Sequence, residues 1–299
     1  MKTYNFKYGH GSVSLSLNEA DILAELHGTE TPPISDIRSA LFASLEQPID
    51  SAPLRQRVRP GDRVALVISD MTRFWMRQDL VIPHLVDYLI DECGVQPEHL
   101  TIVVANGTHI GGDEQELRTL VTDGVYNRVR VKNHDCEAKD LAYLGTTPHE
   151  TPVWIDRTAA EADLVVCLGA ATHHVMAGFG GGRKNLLPGV AGRETIRQNH
   201  ERALDPEKAM SDVRVGCCKL TGNPIHEDMV EAAHLVHADF GINLVVAASG
   251  AHSGIFCGEM DAAWEASCEY QRKCYEIEVK EPADIVLCSS GGYPKDMNL

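Results

Sequence analysis

The stretch ADLVVCLGAATHH, residues 162–174, decides the fold. Its apolar run does not alternate with polar residues, which is typical of a strand whose two faces are both buried in a sheet. Similar runs recur along the chain, separated by segments with apolar residues at helical spacing: RVALVISD (63–70), LTIVVANGTH (100–109), VRVKNHD (129–135), INLVVAASG (242–250) and ADIVLCSSGG (283–292). This alternation of strands and helices predicts an α/β fold, in which helices cover a parallel sheet.

Other segments complete the predicted secondary structure. Residues 3–17, TYNFKYGHGSVSLSL, alternate around a Gly-His-Gly turn and predict an N-terminal β-hairpin. Helices are predicted over RQDLVIPHLVDYLIDEC (77–93), DEQELRTLVTDGV (113–125), GRETIRQNH (192–200) and PIHEDMVEAAHLV (224–236). The sequence contains no internal repeat and no low-complexity linker.

Composition and charge argue against several classes of protein. The chain has 299 residues, is 43% hydrophobic and carries a formal net charge of -16, which argues against a nucleic-acid or anionic-membrane partner. No apolar stretch reaches the roughly 18 residues of a membrane span and the first residues contain no secretion signal, so a cytoplasmic protein is expected. The nine cysteines are scattered without a C-x-x-C pair, which indicates neither a disulfide framework nor a structural zinc site.

Polar and titratable residues follow four of the predicted strands. They are Asp70 and Arg73, Asn106 and His109, His134 and Asp135, and His173 and His174. Because ligands of open α/β sheets bind beyond the carboxyl ends of the strands, we expect these side chains to meet in one site. A single strand-end histidine would be weak evidence, since such residues often serve only structure.

A glycine-rich loop, HHVMAGFGGGRKNLLPG (173–189), lies at the end of the strand predicted in 162–174. Its glycines permit positive φ and close approach of a ligand, and successive backbone N–H groups in such a loop form an anion-binding concavity. Arg183 and Lys184 add two cations, so the loop predicts a phosphate or carboxylate guest. The loop does not match a P-loop, because Asn185 follows the lysine where Ser or Thr is required. A plain glycine-rich connection with solvated cations is the alternative interpretation.

Eight short motifs are distributed over nearly the whole chain. They are DMTR (70–73), NGTH (106–109), HVMAGFGGGRK (174–184), PGVAGRET (188–195), NH (199–200), GNPIHEDM (222–229), GIFCGEM (254–260) and GGYPKDMN (291–298). In combination they closely resemble the nickel-dependent lactate racemase family, and the set is far more specific than a glycine pattern alone. The resemblance implies an isomerase, namely a racemase or epimerase of a small 2-hydroxy acid.

The resemblance also implies a cofactor, the nickel-pincer nucleotide (nickel pyridinium-3,5-bisthiocarboxylic acid mononucleotide). Lys184 would carry the cofactor covalently and His200 would ligate the nickel ion, while cofactor-biosynthesis proteins would be transient partners. Further residues implied to bind the cofactor are Asp70, Arg73, Gly180, Gly181, Gly182 and Arg183. The glycine loop is then expected to wrap closely around a phosphate-bearing group.

Acid–base roles follow from the same resemblance. His109 and His174 would be the two general acid/base residues, one on each face of the substrate, each removing the hydroxyl proton while hydride leaves the carbon for the cofactor. Arg73 would hold the substrate carboxylate or the cofactor phosphate. His173 stands where the family often has proline, and is interpreted as surface variation.

The domain organisation is predicted from the resemblance as well. Residues 1–270 would form a Rossmann-like cofactor-binding and catalytic domain, and residues 271–299 a hinge and the first strand of a second α/β domain. A buried strand at 283–292 would lack its covering helix. The chain is therefore interpreted as truncated, and weak or absent racemisation is expected from it.

Two other functions stay open at this stage. A metal-dependent hydrolase would use His109, His174 and His200 around zinc, although no H-E-x-x-H or similar ligand spacing supports it. A non-catalytic domain would bind an anionic nucleotide without turnover. The remaining histidines are interpreted as structural or surface groups, including His234 and His237 at helical spacing.

Overall fold

The computed structural model describes residues 1–293 and residue 296. Its strands are β1 Lys2–Tyr8, β2 Gly11–Leu17, β3 Val64–Ser69, β4 Leu100–Ala105, β5 Arg130–Asn133, β6 Ala142–Thr146, β7 Pro152–Ile155, β8 Leu164–Ala170, β9 His173–His174, β10 Gly178–Phe179, β11 Leu204–Asp205, β12 Met210–Ser211, β13 Phe240–Val246 and β14 His252–Gly258. Its α-helices are α1 Ile37–Glu46, α2 Leu54–Arg57, α3 Ile82–Asp87, α4 Glu114–Val121, α5 Asp123–Tyr126, α6 Arg157–Ala160, α7 Arg193–Glu201, α8 Pro224–Val236 and α9 Met260–Tyr275. Short 3-10 segments span Glu19–Asp21, Met71–Met76, Gln78–Leu80, Pro97–His99 and Gly182–Asn185, and a π-helical turn spans Tyr88–Glu92.

A six-stranded sheet in the order β14-β13-β8-β3-β4-β5 forms the centre of the fold. The pairs from β13 to β5 are parallel, whereas the edge pair β13/β14 is antiparallel. The predicted α/β fold with a mostly parallel sheet is confirmed, and so is the N-terminal hairpin, which is β1 paired with β2.

The strand order places a switch point in the middle of the sheet. The chain runs from β3 outward to β4 and β5, and then returns to β8 on the other side of β3. Open α/β sheets bind ligands at such a reversal, outside the carboxyl ends of the strands. The carboxyl ends of β3 and β8 are therefore the expected place for a site.

Alternating residues of the central strands fill two apolar cores, one on each face of the sheet. Leu66 and Ile68 belong to the core that includes residues of α1, α3 and α4. Val67 and Val165 belong to the core that includes residues of α8 and of the chain around 186–191. Burial on both faces explains why these strands are continuous apolar runs in the sequence.

Two predicted helices are interrupted in the structure. The segment 77–93 divides into a 3-10 turn, α3 and a π-helical turn. Arg77 adopts a left-handed conformation with φ of 49° before the 3-10 turn, and Pro83 stands in the first turn of α3, where a missing N–H costs least. The segment 113–125 divides into α4 and α5 at Thr122, whose φ is 76°. The other two predicted helices correspond closely to α7 and α8.

The end of the described chain differs from the prediction. The segment 283–292, predicted as a buried strand, has no regular secondary structure, and Ile285 and Val286 are 78% and 76% exposed. The strand prediction was wrong, since the apolar run has no neighbouring strand among the described residues to satisfy its backbone hydrogen bonds. The division at residue 270 stays a prediction; that residue lies within α9. Part of the motif at 291–298 lies outside the described residues.

Several elements were not predicted from the apolar pattern. The hairpin β6/β7 and α6 lie between β5 and β8 in the chain, and α9 packs on β13 and β14. No helix in the described part of the chain is long and apolar enough to span a membrane.

Candidate active site at the switch point of the sheet

A hydrogen-bonded chain of side chains crosses the ends of β3 and β4. Asp70, directly after β3, is buried, and its Oδ2 lies 2.5 Å from Nδ1 of His109, which follows β4. Thr72 donates its hydroxyl to Oδ1 of Asp70 at 2.7 Å, and Arg73 donates to the Thr72 hydroxyl at 2.7 Å. The carboxylate accepts the Nδ1–H of His109. Nε2 of His109 is therefore the nitrogen with a free lone pair, and its ring is 42% exposed.

His174 has a different environment from His109. It lies on the short strand β9, which pairs with β10. The backbone N–H groups of Met176 and Ala177 both donate to its Nδ1, each at 3.1 Å. Nδ1 is thus an acceptor, and the neutral ring carries its proton on Nε2. Burial lowers the pKa of His174 to about 3, with further lowering by the charges of Lys184, Arg73, Arg183 and His200.

Lys184 is a half-buried amine without a compensating anion. Its Nζ makes no hydrogen bond or ion pair with the part of the chain that the structure describes. Burial lowers the pKa of Lys184 to about 7, and the neighbouring cations Arg183 and Arg73 lower it further. A large fraction of the side chain is therefore the free amine near neutral pH, which is the nucleophilic form.

His200 lies on α7 and faces the same group of charges. Its Nδ1 is 3.0 Å from the carbonyl oxygen of Ile196, one turn earlier, so Nδ1 donates and Nε2 keeps a lone pair. Burial lowers the pKa of His200, and the charge of Lys184 lowers it further. A neutral imidazole whose other nitrogen is fixed by a carbonyl is the usual form of a metal-ligating histidine.

The buried side chains of Arg183 and Trp264 support the glycine loop. Arg183 is fully buried, with its guanidinium 3.9 Å from the ring centroid of Trp264, and it donates to the carbonyl oxygens of Phe179 and Ala177. A Cβ at Gly182, whose φ is +52°, would lie 2.7 Å from the Trp264 ring. The glycine is therefore required by this packing, independently of any ligand.

The expectation that the loop's backbone forms an anion-binding concavity was wrong for three of its amides. The N–H of Gly180 donates to the Thr172 carbonyl at 2.7 Å, that of Gly182 to Oδ1 of Asn243 at 2.9 Å, and that of Lys184 to the Gly181 carbonyl at 3.1 Å. These three amides are satisfied within the chain and are not available to an anion, whereas the side chain of Lys184 has no such partner among the described residues. Cofactor contacts of Gly180, Gly181, Gly182 and Arg183 stay predictions.

Four strand-end residues make their side-chain hydrogen bonds outside the group formed by His109, His174, Lys184 and His200. His134 is buried, with its two ring nitrogens 3.2 Å from Oδ2 of Asp156 and 2.9 Å from the Ala191 carbonyl oxygen. Asn106 donates its amide to Oδ1 of Asn133 at 3.1 Å. His173 turns toward Glu276 and away from the other strand-end groups. Asp135 is exposed on the surface. The four strand ends thus do not form one site.

Sequence reasoning did not identify the residues that hold the glycine loop and the hydrogen-bonded pair of Asp70 and His109. Asn185 is buried and donates to the carbonyl oxygens of both Val67 and Leu168, so it fastens the loop across β3 and β8. Thr72 could have been found from its place between Asp70 and Arg73. Trp264 carries no local sequence signal, because it approaches the loop only through the packing of α9.

Comparisons of the sequence with known proteins identify its relatives. A sequence model described as the lactate racemase N-terminal domain matches residues 8–211. The lactate racemases of Thermoanaerobacterium thermosaccharolyticum and Lactiplantibacillus plantarum are each 32% identical over 259 residues, which cover 86% of this chain and 58% of each relative. The chain therefore spans somewhat more than half the length of these relatives.

Solved structures resemble the fold as well. The lactate racemase apoprotein from Thermoanaerobacterium thermosaccharolyticum matches with a TM-score of 0.85 at 28% identity, covering 98% of this chain and 67% of that one. A crystal structure of a protein from Thermotoga maritima shares the fold with a TM-score of 0.60 at 21% identity, covering 80% of this chain and 58% of that one.

Proposed function

Because this chain belongs to the lactate racemase N-terminal domain family, we propose that it is the catalytic part of a racemase or epimerase of a small 2-hydroxy acid. The observation that carries the proposal is that Arg73 is shared by two groups: hydrogen bonds through Thr72 and Asp70 connect it to His109, and its charge acts, with that of Lys184, on His174. Inversion of a hydroxyl-bearing carbon needs proton transfer, and an anionic substrate needs an unpaired cation.

The donor set fits the nickel-pincer nucleotide that the family resemblance implies. Lys184 offers a partly deprotonated amine for covalent attachment, and His200 offers Nε2 as a metal ligand with Nδ1 already fixed by a carbonyl. Arg73 keeps part of its planar fork free for a phosphate or carboxylate, since its hydrogen bond to the described chain uses one nitrogen. Such a cofactor would supply a reversible hydride acceptor beside the substrate carbon.

The two histidines have distinct roles in the proposal. His109 takes the hydroxyl proton at Nε2, and Asp70 stabilises the resulting imidazolium through the Nδ1–H hydrogen bond. His174 presents Nε2–H as a donor to the substrate oxygen on the other side. It becomes a base for the opposite enantiomer only when its Nδ1 releases the amides of Met176 and Ala177.

In the proposal, a bound cofactor and substrate change two of the charges that contribute to the low pKa of His174. Burial is the main cause of the low pKa, and Lys184 and Arg73 add to it. Covalent attachment at Lys184 removes one of these charges, and a substrate carboxylate at Arg73 neutralises the other. These two changes remove the contributions of Lys184 and Arg73 to the lowered pKa of His174, whereas the contribution of burial remains.

The hydrolase alternative receives no support from the geometry. Among the described residues, His109, His174 and His200 do not bring their ring nitrogens within reach of one shared ion. The other alternative, a domain that binds an anionic nucleotide without turnover, is distinguished from a racemase by the experiments below.

Peptide mapping around residue 184 tests the proposal most directly. The chain is purified from cells that express the pincer-cofactor biosynthesis proteins and are grown with nickel, and its intact mass is measured. We expect an adduct on Lys184 that is absent from Lys184→Arg, which keeps the charge but not the nucleophile. Lys208, an exposed lysine, serves as the matched control through Lys208→Arg.

Chiral chromatography of a 2-hydroxy acid incubated with the loaded protein then reports interconversion of its enantiomers. An unmodified Lys184 in correctly folded protein contradicts the cofactor assignment. An adduct without interconversion, in a chain that includes the remaining length of the relatives, favours the non-catalytic binding domain.

A further inference from the structure

Four side chains from three distant segments meet beside β9 and β10. Nε2 of His173 lies 3.4 Å from Oε1 of Glu276, which directly follows α9, and the thiol of Cys218 lies 3.0 Å from the same oxygen. One ligand atom from each of these three residues lies within 4.8 Å of the other two. The Sγ of Cys217 is 3.7 Å from the Sγ of Cys218.

We propose that His173, Cys218 and Glu276 form a zinc-binding site, with the fourth position open to water or to the thiol of Cys217. Imidazole nitrogen, thiolate sulfur and carboxylate oxygen are the ligands that zinc prefers. Ligand atoms around a tetrahedral zinc ion lie roughly 3.2–3.8 Å apart, given typical bond lengths of about 2.0–2.3 Å. The contacts of 3.0 Å and 3.4 Å are close to that spacing, so an ion needs only small side-chain shifts to enter.

The backbone around Cys218 supports a dedicated position for its thiol. Cys218 has φ of +61°, a left-handed conformation that non-glycine residues adopt at a cost. Its N–H donates to the Gly178 carbonyl and its own carbonyl accepts from Arg272, so the strained residue is held from two sides. His173 and Cys218 are half-buried and Glu276 is more exposed, which leaves an entry path from solvent.

Two features oppose the binding of a cation here: the positive charge of Arg272 and the proton on the Cys218 thiol. Arg272 donates at 2.9 Å to Oε1 of Glu276, the same oxygen that lies near His173 and Cys218. A bound ion would share Oε1 with Arg272 or use Oε2 after rotation of the carboxylate, since Oε2 has no hydrogen-bond partner among the residues described. Burial raises the pKa of Cys218 to about 12, and Glu276 and Cys217 add to the effect. Zinc must displace the thiol proton, so binding releases a proton and zinc affinity increases with pH.

A zinc ion here would fasten the neighbourhood of the candidate active site. His173 precedes His174 directly, and the ring of Phe179 in β10 contacts both the His173 ring and the guanidinium of Arg272. The ion would join β9, the loop at 216–221 and the end of α9. The inference does not depend on the proposed function, because it uses none of the residues assigned to the cofactor or the substrate.

Cobalt(II) titration of the metal-free, cofactor-free chain in a thiol-free reductant tests the site. Cobalt bound to a thiolate gives a charge-transfer absorption that histidine or carboxylate coordination does not produce. We expect one equivalent of this absorption in the natural sequence. Competition with a chromophoric chelator then gives the zinc affinity.

Variants assign the absorption to this cluster. We expect Cys218→Ser to abolish it and to weaken zinc binding on the order of 100-fold, and His173→Ala and Glu276→Gln to weaken it by roughly tenfold or more. Cys288→Ser removes another exposed thiol and is the matched control. His200→Ala tests for stray binding at the candidate active site, which contains no thiolate ligand. Both controls should retain the full absorption.

Two results would overturn the inference. One is the absence of thiolate absorption in the natural sequence. The other is absorption that disappears in Cys217→Ser or Cys218→Ser but is unchanged in both His173→Ala and Glu276→Gln, because the vicinal thiols alone would then bind the metal. Circular dichroism of each variant confirms that the fold is retained. His173→Ala is at a half-buried position and keeps the test valid if Cys218→Ser does not fold.

Discussion

At the scale of single residues, the site depends on which ring nitrogen of each histidine is free. Asp70 fixes Nδ1–H of His109 and so leaves a basic Nε2, whereas backbone amides occupy Nδ1 of His174 and leave Nε2–H. The two rings are therefore not equivalent before a ligand binds. A pair of like residues in the sequence does not reveal this difference, because Asp70 is 39 residues from His109 in the chain and the amides at His174 depend on the local turn that Met176 and Ala177 form.

The substitution Asp70→Asn tests the role of the carboxylate. The asparagine side chain keeps the volume but can present its N–H₂ to His109 and so favour the wrong tautomer, and it cannot stabilise the imidazolium. In a cofactor-loaded chain that includes the remaining length of the relatives, we expect kcat for racemisation to fall by roughly 10²–10⁴-fold, with little change in KM. Thr72→Ser keeps the hydroxyl that orients Asp70 and should retain most activity. Equal losses in kcat for both variants would indicate general disruption of this loop and not a tautomer effect.

The amine of Lys184 gives a second prediction at this scale. Because burial and two neighbouring cations lower its pKa to about 7, we expect it to be acylated half-maximally near that pH in the cofactor-free protein. The substitution Arg73→Gln removes a positive neighbour, which shifts the midpoint of Lys184 labelling to higher pH. Mass spectrometry of the peptide that contains residue 184, after brief acylation at a series of pH values, measures the midpoint. A midpoint unchanged by Arg73→Gln would show that the two charges do not interact.

At the scale of elements, the structure positions Lys184 by packing a helix beneath its loop. Trp264 on α9 supports Arg183, excludes a side chain at position 182, and donates its indole N–H to the Gly180 carbonyl at 2.7 Å. Asn185 fastens the same loop to the two central strands. The contacts that hold the loop thus come from the chain itself and do not require a cofactor.

The substitution Trp264→Phe tests this support. Phenylalanine keeps an aromatic ring beneath Arg183 but leaves the buried Gly180 carbonyl without its donor, so we expect the free energy of unfolding to fall by about 1–3 kcal/mol. Trp154→Phe, at a partly exposed position of β7, is the matched control and should change it by no more than about 0.5 kcal/mol. Urea unfolding followed by circular dichroism measures both. Similar losses for the two variants would remove the special role of Trp264.

Much of this level of organisation could be predicted from the sequence, and the failures have physical causes. Apolar runs buried on both faces identified β3, β4, β8 and β13, because continuous burial leaves a local signal. The run at 283–292 gives the same signal, yet it is exposed, since a strand also needs a neighbour to pair with. The residues predicted for the site belong to hydrogen-bond or charge networks around the switch point, and their roles stay predictions: they are Asp70, Arg73, His109, His174, Lys184 and His200. His134 was not distinguishable from them by sequence, because its buried partners come from other segments.

The cluster of His173, Cys218 and Glu276 shows the same limit more clearly. Metal sites are found in sequence through ligands at short, regular spacing, whereas these ligands are 45 and 58 residues apart along the chain, as their numbers show. The scattered cysteines therefore indicated no metal site. Only the folded arrangement of β9 and the end of α9 brings the three ligands together.

At the scale of the whole molecule, charge is distributed unevenly between surface and interior. The chain has a net charge of -16, yet Lys184 and Arg73, near the switch point, have no carboxylate partner among the described residues. Net charge alone would disfavour an anionic ligand, but local field and desolvation dominate over the few ångströms of a binding site. An acidic surface is thus compatible with a small anionic substrate in the interior.

A buried polar cluster around Asp156 stabilises the molecule at the β5 edge of the sheet, and it predicts how the protein responds to acid. Asp156 is buried and begins α6; Lys132 donates to both of its oxygens at 3.0 and 2.9 Å, and His134 lies beside it. Burial alone would raise the pKa of Asp156, but the hydrogen bonds from His134 and Lys132 and the charge of Lys132 outweigh it, so the pKa is lowered. This carboxylate therefore stabilises the fold fully above the ordinary Asp pKa of about 4, and less as the pH falls below that value toward its own lowered pKa.

The substitution Asp156→Asn tests how much this polar cluster stabilises the fold. We expect the substitution to reduce the free energy of unfolding by roughly 2–4 kcal/mol near pH 7, because it leaves Lys132 without its anion and weakens the cap of α6. The difference between the natural sequence and the variant should stay constant from pH 7 to about pH 5 and shrink below pH 4, as the carboxylate of the natural sequence becomes protonated. Asp163→Asn, at a largely exposed ion pair with Arg63, is the matched control and should reduce stability much less than Asp156→Asn does. Urea unfolding at pH 7, 5, 4 and 3 measures each difference. A difference between the natural sequence and Asp156→Asn that is the same at pH 3 and pH 7 would mean that the stabilisation comes from packing and shape and not from the charge of Asp156.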